Sequence, residues 1–177
     1  MPKRHDIIWL DIIDSTNEYV RSRIQKLDNL SVVAAKEQMA GRGQGKNTWH
    51  SEPGKNLLFS IILKDTGLTA SEQKIISDIA AVSVKELLFN HGIEAWIKPP
   101  NDIWVRDKKI CGILIEHSLR GNRILHSIIG IGLNVNQTSF PSELPNPTSM
   151  VLEGCTKDCA EILSEFMDIF LSHASLI

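Results

Sequence analysis

Residues 94–135, EAWIKPPNDIWVRDKKICGILIEHSLRGNRILHSIIGIGLNV, decide the fold. Short runs rich in Ile, Val and Trp, bounded by turn formers, read as four strands: Glu94 to Lys98, Ile103 to Arg106, Ile110 to Ser118 and Arg123 to Val135. Asp107-Lys108 and Arg120-Gly121-Asn122 suit hairpin turns, and strands joined by tight turns pair antiparallel. Upstream, Asp6 to Ile13, Ser31 to Glu37 and Asn56 to Leu63 read as further strands. Ser15 with Glu18 three residues on has the pattern of a capping box, and predicts a helix running to about Leu27 with Val20, Ile24 and Leu27 on one face. Thr69 with Glu72 repeats the pattern ahead of a longer helix that stops at Gly92, its apolar face built from Ile75, Ile76, Ile79, Val82, Leu87 and Leu88. Downstream, Pro141, Pro145 and Pro147 exclude regular structure from Gln137 to Ser149, and helical spacing returns from Lys157 to about His173. Helices interspersed with antiparallel hairpins predict an α+β fold: a mixed, largely antiparallel sheet with helices packed on one face.

The 177 residues suit one domain over 1–177, and the 42% of hydrophobic residues suffices for its core. A net charge of -2 offers no footprint for nucleic acid, so no nucleic-acid partner is expected. The apolar runs are strand-sized and fall short of a membrane span, and Met1 to Asp6 carries no apolar segment of signal-peptide type, which predicts a cytoplasmic protein with no membrane partner. Cys111, Cys155 and Cys159 are an odd set best read as reduced thiols. The six histidines show no metal-ligand spacing and no serine sits in a nucleophile elbow, so hydrolase chemistry has no support.

The most informative stretch for chemistry is the polar loop Gln38-Met39-Ala40-Gly41-Arg42-Gly43-Gln44-Gly45-Lys46-Asn47-Thr48-Trp49-His50-Ser51. It fails the P-loop pattern, because Gly41 and Gly45 are too close and Asn47 follows Lys46. It also fails the dinucleotide fingerprint, since it leads toward a strand and not a helix. Glycines that turn backbone N–H groups toward one centre, together with Arg42 and Lys46, still suit a phosphate-bearing ligand. The alternative is a flexible surface loop with a solvated charge pair. In Lys98-Pro99-Pro100-Asn101-Asp102 two prolines fix the chain direction after a lysine, which would hold a cation rigidly if Lys98 points inward; a plain turn with a solvated lysine is the alternative. Gly112, Gly130 and Gly132 lie in strands, where glycine marks a close approach by a ligand or backbone, or else a bulge.

In order along the chain, Asp14-Ser15-Thr16-Asn17, Gln38-x-x-Gly41-Arg42-Gly43 with Trp49 and Ser51, Lys98-x-Pro100-Asn101-Asp102-Ile103, Gly112-Ile113-Leu114-Ile115-Glu116 and Gly130-x-Gly132-x-Asn134-x-Asn136 closely resemble the biotin protein ligase family. The resemblance implies a fold related to class II aminoacyl-tRNA synthetases and a two-step reaction. Biotin would attack the α-phosphorus of ATP, with Mg2+ present and pyrophosphate leaving, and a lysine of a biotin carboxyl carrier protein would then take biotin from biotinyl-5'-AMP. On the matching positions, Ser15, Thr16 and Asn17 would contact the ureido end of biotin. Gln38, Gly41, Arg42, Gly43 and Gln44 would surround its carboxylate and the adenylate phosphate, and Gly112 and Gly132 would floor the pocket. Lys98 and Arg42 would be the catalytic cations, with Lys98 also touching biotin. Arg42, Gly43, Trp49, Asn101, Asp102 and Asn134 would hold the nucleotide, and Asp102 the metal. For Ser15 and Thr16 pure helix capping is the alternative, and for Trp49 a core position.

Two positions depart from the family: Gln44 stands where arginine is common, and Pro99 where tryptophan is common. The loss of one positive charge predicts a looser hold on the intermediate. Neither an amino-terminal helix-turn-helix nor a carboxy-terminal small β-barrel, which some members carry, is expected within 1–177. A lipoate or octanoate ligase or transferase of the same fold, and a non-catalytic sensor of biotin or its adenylate, are the competing readings. A free sheet edge would allow a homodimer.

Overall fold

In the computed structural model, which describes residues 7–175 and 177, the run read above as a series of hairpins forms the half of a sheet nearest the cavity described below. The strands are β1 (Ile7–Ile13), β2 (Val32–Gln38), β3 (Leu57–Lys64), β4 (Trp96–Lys98), β5 (Asp102–Val105), β6 (Lys108–Arg120) and β7 (Arg123–Leu133). They make one seven-stranded sheet in the order β1-β2-β3-β7-β6-β5-β4. Only β1 and β2 run parallel, so the sheet is mixed and largely antiparallel. Asp6, expected to open the first strand, lies outside the described residues. The first hairpin turns one residue earlier than expected, at Arg106, which takes a positive φ of 52°, so that Lys108 already belongs to β6.

The helices are α1 (Thr16–Ser22), α2 (Gln73–Asn90) and α3 (Cys159–Ala174). Strand alternation divides the sheet into two faces. Val32, Ala34, Leu57, Phe59, Ile61, Ile129, Ile131 and Leu133 point toward α2 and α3 and form the main core. Phe166 of α3 meets Phe59 edge-on at 5.1 Å between ring centroids, and truncating either ring would cost on the order of 3–5 kcal/mol. Val33, Ile62 and Ile128 point the other way, and Val20 and Leu27 cover them. The expectation of helices on a single face therefore needs correcting. It holds for α2 and α3, whereas α1 packs on the opposite face because the loop from β1 returns to β2 across that side.

Three local expectations also change. The predicted helix to Leu27 ends at Ser22 and continues as a 3-10 turn over Ile24–Lys26, where Lys64 Nζ donates to the carbonyls of Ile24 (2.7 Å) and Leu27 (2.6 Å). Ser15 is the N-cap residue of α1 but makes no side-chain cap, and Glu18, the other half of the expected box, is instead drawn into ion pairs with Arg21 and Arg42. The box at Thr69 does form: its N–H donates to Glu72 at 2.8 Å. In α2 the buried stripe is Ile76, Ala80, Ser83, Val84, Leu87 and Leu88, which leaves Ile75 and Val82 exposed on the far side. Asp158 caps α3 by accepting from Ala160 and Glu161, as its predicted start near Lys157 requires.

Candidate active site

On the α1 face, the side chains that would fill the middle of the sheet are missing. Gly112 of β6 and Gly130 and Gly132 of β7 leave a bare floor, and a cavity of about 130 Å³ opens above it. Ser15, Thr16 and Asn17 of α1 line one side of it, Gln38 stands at the end of β2, and Arg42, Gly43, Gln44, Asn47, Thr48 and Trp49 of the loop close it over. Asp102 and Lys109 complete the lining from β5 and β6.

The need for glycine is steric. A Cβ on Gly130 would lie 2.4 Å from Asn17 Oδ1, and one on Gly132 would lie 2.6 Å from Trp49 Cε2. A Cβ on Gly112 would meet Trp49 Cζ3 at 2.8 Å. The Trp49 indole thus rests on the glycine floor, over Gly112 and Gly132. Its buried Nε1 has no hydrogen-bond partner among the described residues, an unsatisfied donor facing a cavity. Around it the loop folds as a small hairpin: Gly43 N donates to Asn47 O at 2.8 Å and Trp49 N to Gly41 O at 2.9 Å.

The polar groups at the α1 end form a buried chain. Thr16 N and Oγ1 donate to Gln38 Oε1 at 2.8 and 3.1 Å, and Ser60 Oγ lies 2.7 Å from Thr16 Oγ1 and 2.6 Å from Asn17 Oδ1. Asn17 Nδ2 donates to Glu116 Oε2 at 2.8 Å. Ser60 holds one proton for two acceptors, so this chain has spare acceptor capacity for a ligand's own N–H groups. At the mouth, Glu116 and Glu18 meet Arg42 Nη2 at 3.0 and 2.9 Å and also pair with Arg21. Burial opposes the charged form of Glu116, but the Asn17 amide and the Arg42 and Arg21 guanidiniums outweigh it and hold the carboxyl below its ordinary value.

A second cavity of about 340 Å³ adjoins the first; Asn47, Thr48, Trp49 and Lys109 line both. Phe140, Leu144, Pro145 and Pro147, from the segment the prolines keep irregular, make its apolar wall, and Asn134 is at its base. Asn134 Nδ2 donates to Thr148 O at 2.9 Å, while its buried Oδ1 has no partner among the described residues. Lys109 Nζ stands where the cavities meet, 2.9 Å from Asp102 Oδ1 and 5.4 Å from the Trp49 ring centroid.

Of the residues expected at the site, Ser15, Thr16, Asn17, Gln38, Arg42, Gly43, Gln44, Asp102, Gly112 and Gly132 come together in the first cavity, Trp49 in both, and Asn134 in the second. Lys98, Gly41 and Asn101 line neither. Lys98 shares the cavity's face, directly opposite Asp102, but its exposed side chain lays Nζ 3.9 Å over the Trp104 ring. Gly41 serves the loop, since a Cβ there would stand 2.7 Å from Trp49 O. Asn101 accepts a hydrogen bond from Ser77 of α2. The lysine in the lining is Lys109, which sequence reasoning passed over. Ser60 was also missed, although a lone hydroxyl within the apolar run Leu57-Leu58-Phe59-Ser60-Ile61-Ile62 is a readable signal.

Residues 9–134 match the sequence model of the Biotin/lipoate A/B protein ligase family. The chain is 38% identical over 143 residues to the bifunctional ligase/repressor BirA of Bacillus spizizenii, a match that spans 78% of this chain and 43% of that protein. It is 31% identical over 124 residues to the biotin--[acetyl-CoA-carboxylase] ligase of Paracoccus denitrificans, over 69% of this chain and 51% of the relative. It therefore spans about half the length, or less, of these relatives. Among solved structures, the biotin protein ligase of Aquifex aeolicus in complex with biotin and ATP superposes with a TM-score of 0.81 at 27% identity, covering 96% of this chain and 70% of that one.

Proposed function

Because this chain belongs to the biotin/lipoate A/B protein ligase family, we propose that it activates biotin with ATP as biotinyl-5'-AMP and passes biotin to a lysine of a biotin carboxyl carrier protein. The observation that carries this reading is the pair of adjoining cavities sharing Trp49 and Lys109. One suits an acid with a polar ring, and the other suits a flat base.

In the first cavity, Thr16, Asn17 and Ser60 provide acceptors at the closed end, where a ureido ring exposes two N–H groups. A dithiolane ring has no N–H to meet the spare acceptor capacity of those buried groups, which favours biotin over lipoate. The acid chain would run across the glycine floor toward Lys109 once Trp49 moves off it. In the second cavity the apolar wall and the unpartnered Asn134 Oδ1 suit an adenine, whose exocyclic amine is a donor. The reacting carboxylate and α-phosphate then meet beside Lys109.

There the chain's own groups would act by position and charge. Biotin's carboxylate oxygen forms a bond to the α-phosphorus, and the bond to the bridging oxygen breaks, releasing pyrophosphate. Lys109 would neutralise charge building on the α-phosphoryl oxygens, and Arg42 would reach the same group through Nη1 and Nε, since all its ion pairs run through Nη2. Asp102 is the carboxylate of the lining, and a magnesium ion is commonly held by one or two carboxylates together with substrate phosphates. Asp102 would share such an ion, which when bound shields the leaving pyrophosphate. In the second step a neutral carrier lysine would attack the acyl carbon, the bond from that carbon to the AMP oxygen would break, and the amine's proton would leave with AMP or to water.

The test is ATP–pyrophosphate exchange with biotin, with lipoate, and with no acid. Exchange with biotin alone supports the assignment. Exchange only with lipoate would move the chain to the lipoate branch, and tight biotin binding without exchange would make it a sensor.

A further inference from the structure

Glu116 touches both the closed end of the first cavity, through Asn17, and the loop over its mouth, through Arg42. It projects from β6 on the cavity's face, opposite Ile128, with its side chain 25% exposed. A carboxylate so placed needs partners, and it has three: Asn17 Nδ2 at 2.8 Å, Arg42 Nη2 at 3.0 and 3.1 Å, and Arg21 Nη2 at 2.5 Å. Glu18 joins Arg21 and Arg42 to close a ring of two acids and two arginines.

The contact with Asn17 fixes a direction. An ionised carboxylate accepts hydrogen bonds and cannot donate one, so Asn17 must turn Nδ2 toward Glu116 and Oδ1 inward. Oδ1 then accepts from Ser60 at 2.6 Å and stands over Gly130, where only glycine leaves room. The acceptor that a ligand N–H would meet is therefore oriented by a residue that does not line the cavity. The contact with Arg42 fixes the loop: the guanidinium is drawn by Nη2 toward β6 and α1, with its remaining N–H groups turned free of that ring.

We propose that Glu116 is a positioning residue with two separable tasks: it orients the Asn17 amide to accept a ligand N–H, and it latches the glycine loop shut through Arg42. This rests on the biotin reading only for the choice of ligand. Glutamine at this position retains an oxygen to accept from Asn17 but loses the charge that holds Arg42. Alanine loses both.

The test compares the wild-type chain with Glu116→Gln and Glu116→Ala. Trypsin cleavage after Arg42 and Lys46 should quicken in both variants, by about threefold or more given the loss of a charge-assisted pair. Biotin affinity by calorimetry should stay within about threefold of wild type for the glutamine variant and weaken by about tenfold or more for alanine, which leaves only the long 3.4 Å contact to Leu114 O to hold Asn17 Nδ2. Without ligand, the Asn17 side-chain NH2 resonances should keep their position in the glutamine variant and move in the alanine one. Unchanged cleavage in both variants overturns the latch. Alanine with wild-type biotin affinity, or with unmoved Asn17 resonances, overturns the orienting task. If the wild-type chain binds no biotin, the ligand reading fails, and the cleavage and resonance measurements still decide both tasks.

Discussion

Two lysines compete for the role of catalytic cation, and replacing each in turn separates them. Lys109 Nζ lies at the junction of the two cavities, 2.9 Å from Asp102 Oδ1 and 5.4 Å from the Trp49 ring centroid. Lys98 Nζ lies 3.9 Å over the Trp104 ring, outside both cavities. A preorganised donor aimed at developing charge contributes about 2.7–4 kcal/mol, so Lys109→Ala should lower biotin-dependent pyrophosphate exchange by about 10²–10³-fold. The fold itself should hardly respond. Lys109 and Asp102 are each 30% exposed, and a pair so open to water contributes about 0–1 kcal/mol, which in a domain of this size moves Tm by no more than about 4 °C. Lys98→Ala removes an exposed cation–π contact of about 0.5–1 kcal/mol and should leave exchange within about threefold of wild type. The assay is exchange at saturating biotin and ATP, with thermal melts of both variants as the control. Full exchange in the Lys109 variant, or an equal collapse in the Lys98 variant, would refute the assignment.

Gly130→Ala places a Cβ 2.4 Å from Asn17 Oδ1 and should dislodge that amide from Ser60 and Glu116, at a cost of about 1–3 kcal/mol in a melt and with loss of biotin binding by calorimetry; an unchanged Tm with unchanged affinity would contradict it. Gly132→Ala meets Trp49 on a yielding loop, so its effect should fall on ligand binding more than on Tm. The carboxyl of Glu116 is held below its ordinary 4.5, so the ring's contribution to stability is complete above that value and disappears as pH falls through the depressed one. The difference in Tm between wild type and Glu116→Gln should accordingly hold steady at neutral pH and shrink only below about 4.5, and a gap that persists at lower pH would count against it. Gln44→Arg adds a charge to the cavity lining and should slow the escape of biotinyl-5'-AMP, measured by filtration of the preformed complex; equal escape rates would remove any role for this position.

Much of this was legible because period and punctuation agree. The alternating strands of residues 94–135, Gly92 at the end of α2 and the prolines of 137–149 each leave a local mark that tertiary contacts do not override. The glycine floor was legible for the same reason, since an unbranched gap in an apolar strand requires something to fill it. Pairings between distant segments were not. Ser15 and Glu18 have the form of a capping box, yet Glu18 is taken by Arg42 and Arg21, and nothing within four residues of Ser15 announces that. Nor does helical spacing say on which face of the sheet α1 will lie; that follows from Val33, Ile62 and Ile128 forming a second apolar patch on the far side.

The place of Lys109 in the lining escapes a reading of strand alternation for a reason that can be traced to one residue. Counting back from Gly112 on the cavity's face, strict alternation puts Cys111 in the core, Ile110 on the cavity's face and Lys109 in the core, where an ammonium would be costly. But β5 and β6 change register between Ile103 and Trp104: Cys111 stands opposite Ile103, Lys109 opposite Trp104, and Ile110 is left over, fully buried beside Cys111. That extra residue is a β-bulge, and it reverses the facing of everything before it in the strand. Ile110 joins the core and Lys109 turns to the cavity, against Asp102. The bulge leaves no mark of its own in the sequence, because its inserted residue is an isoleucine as apolar as its neighbours. What reveals it is the energy of the alternative, a buried lysine and an isoleucine exposed on a polar cavity floor.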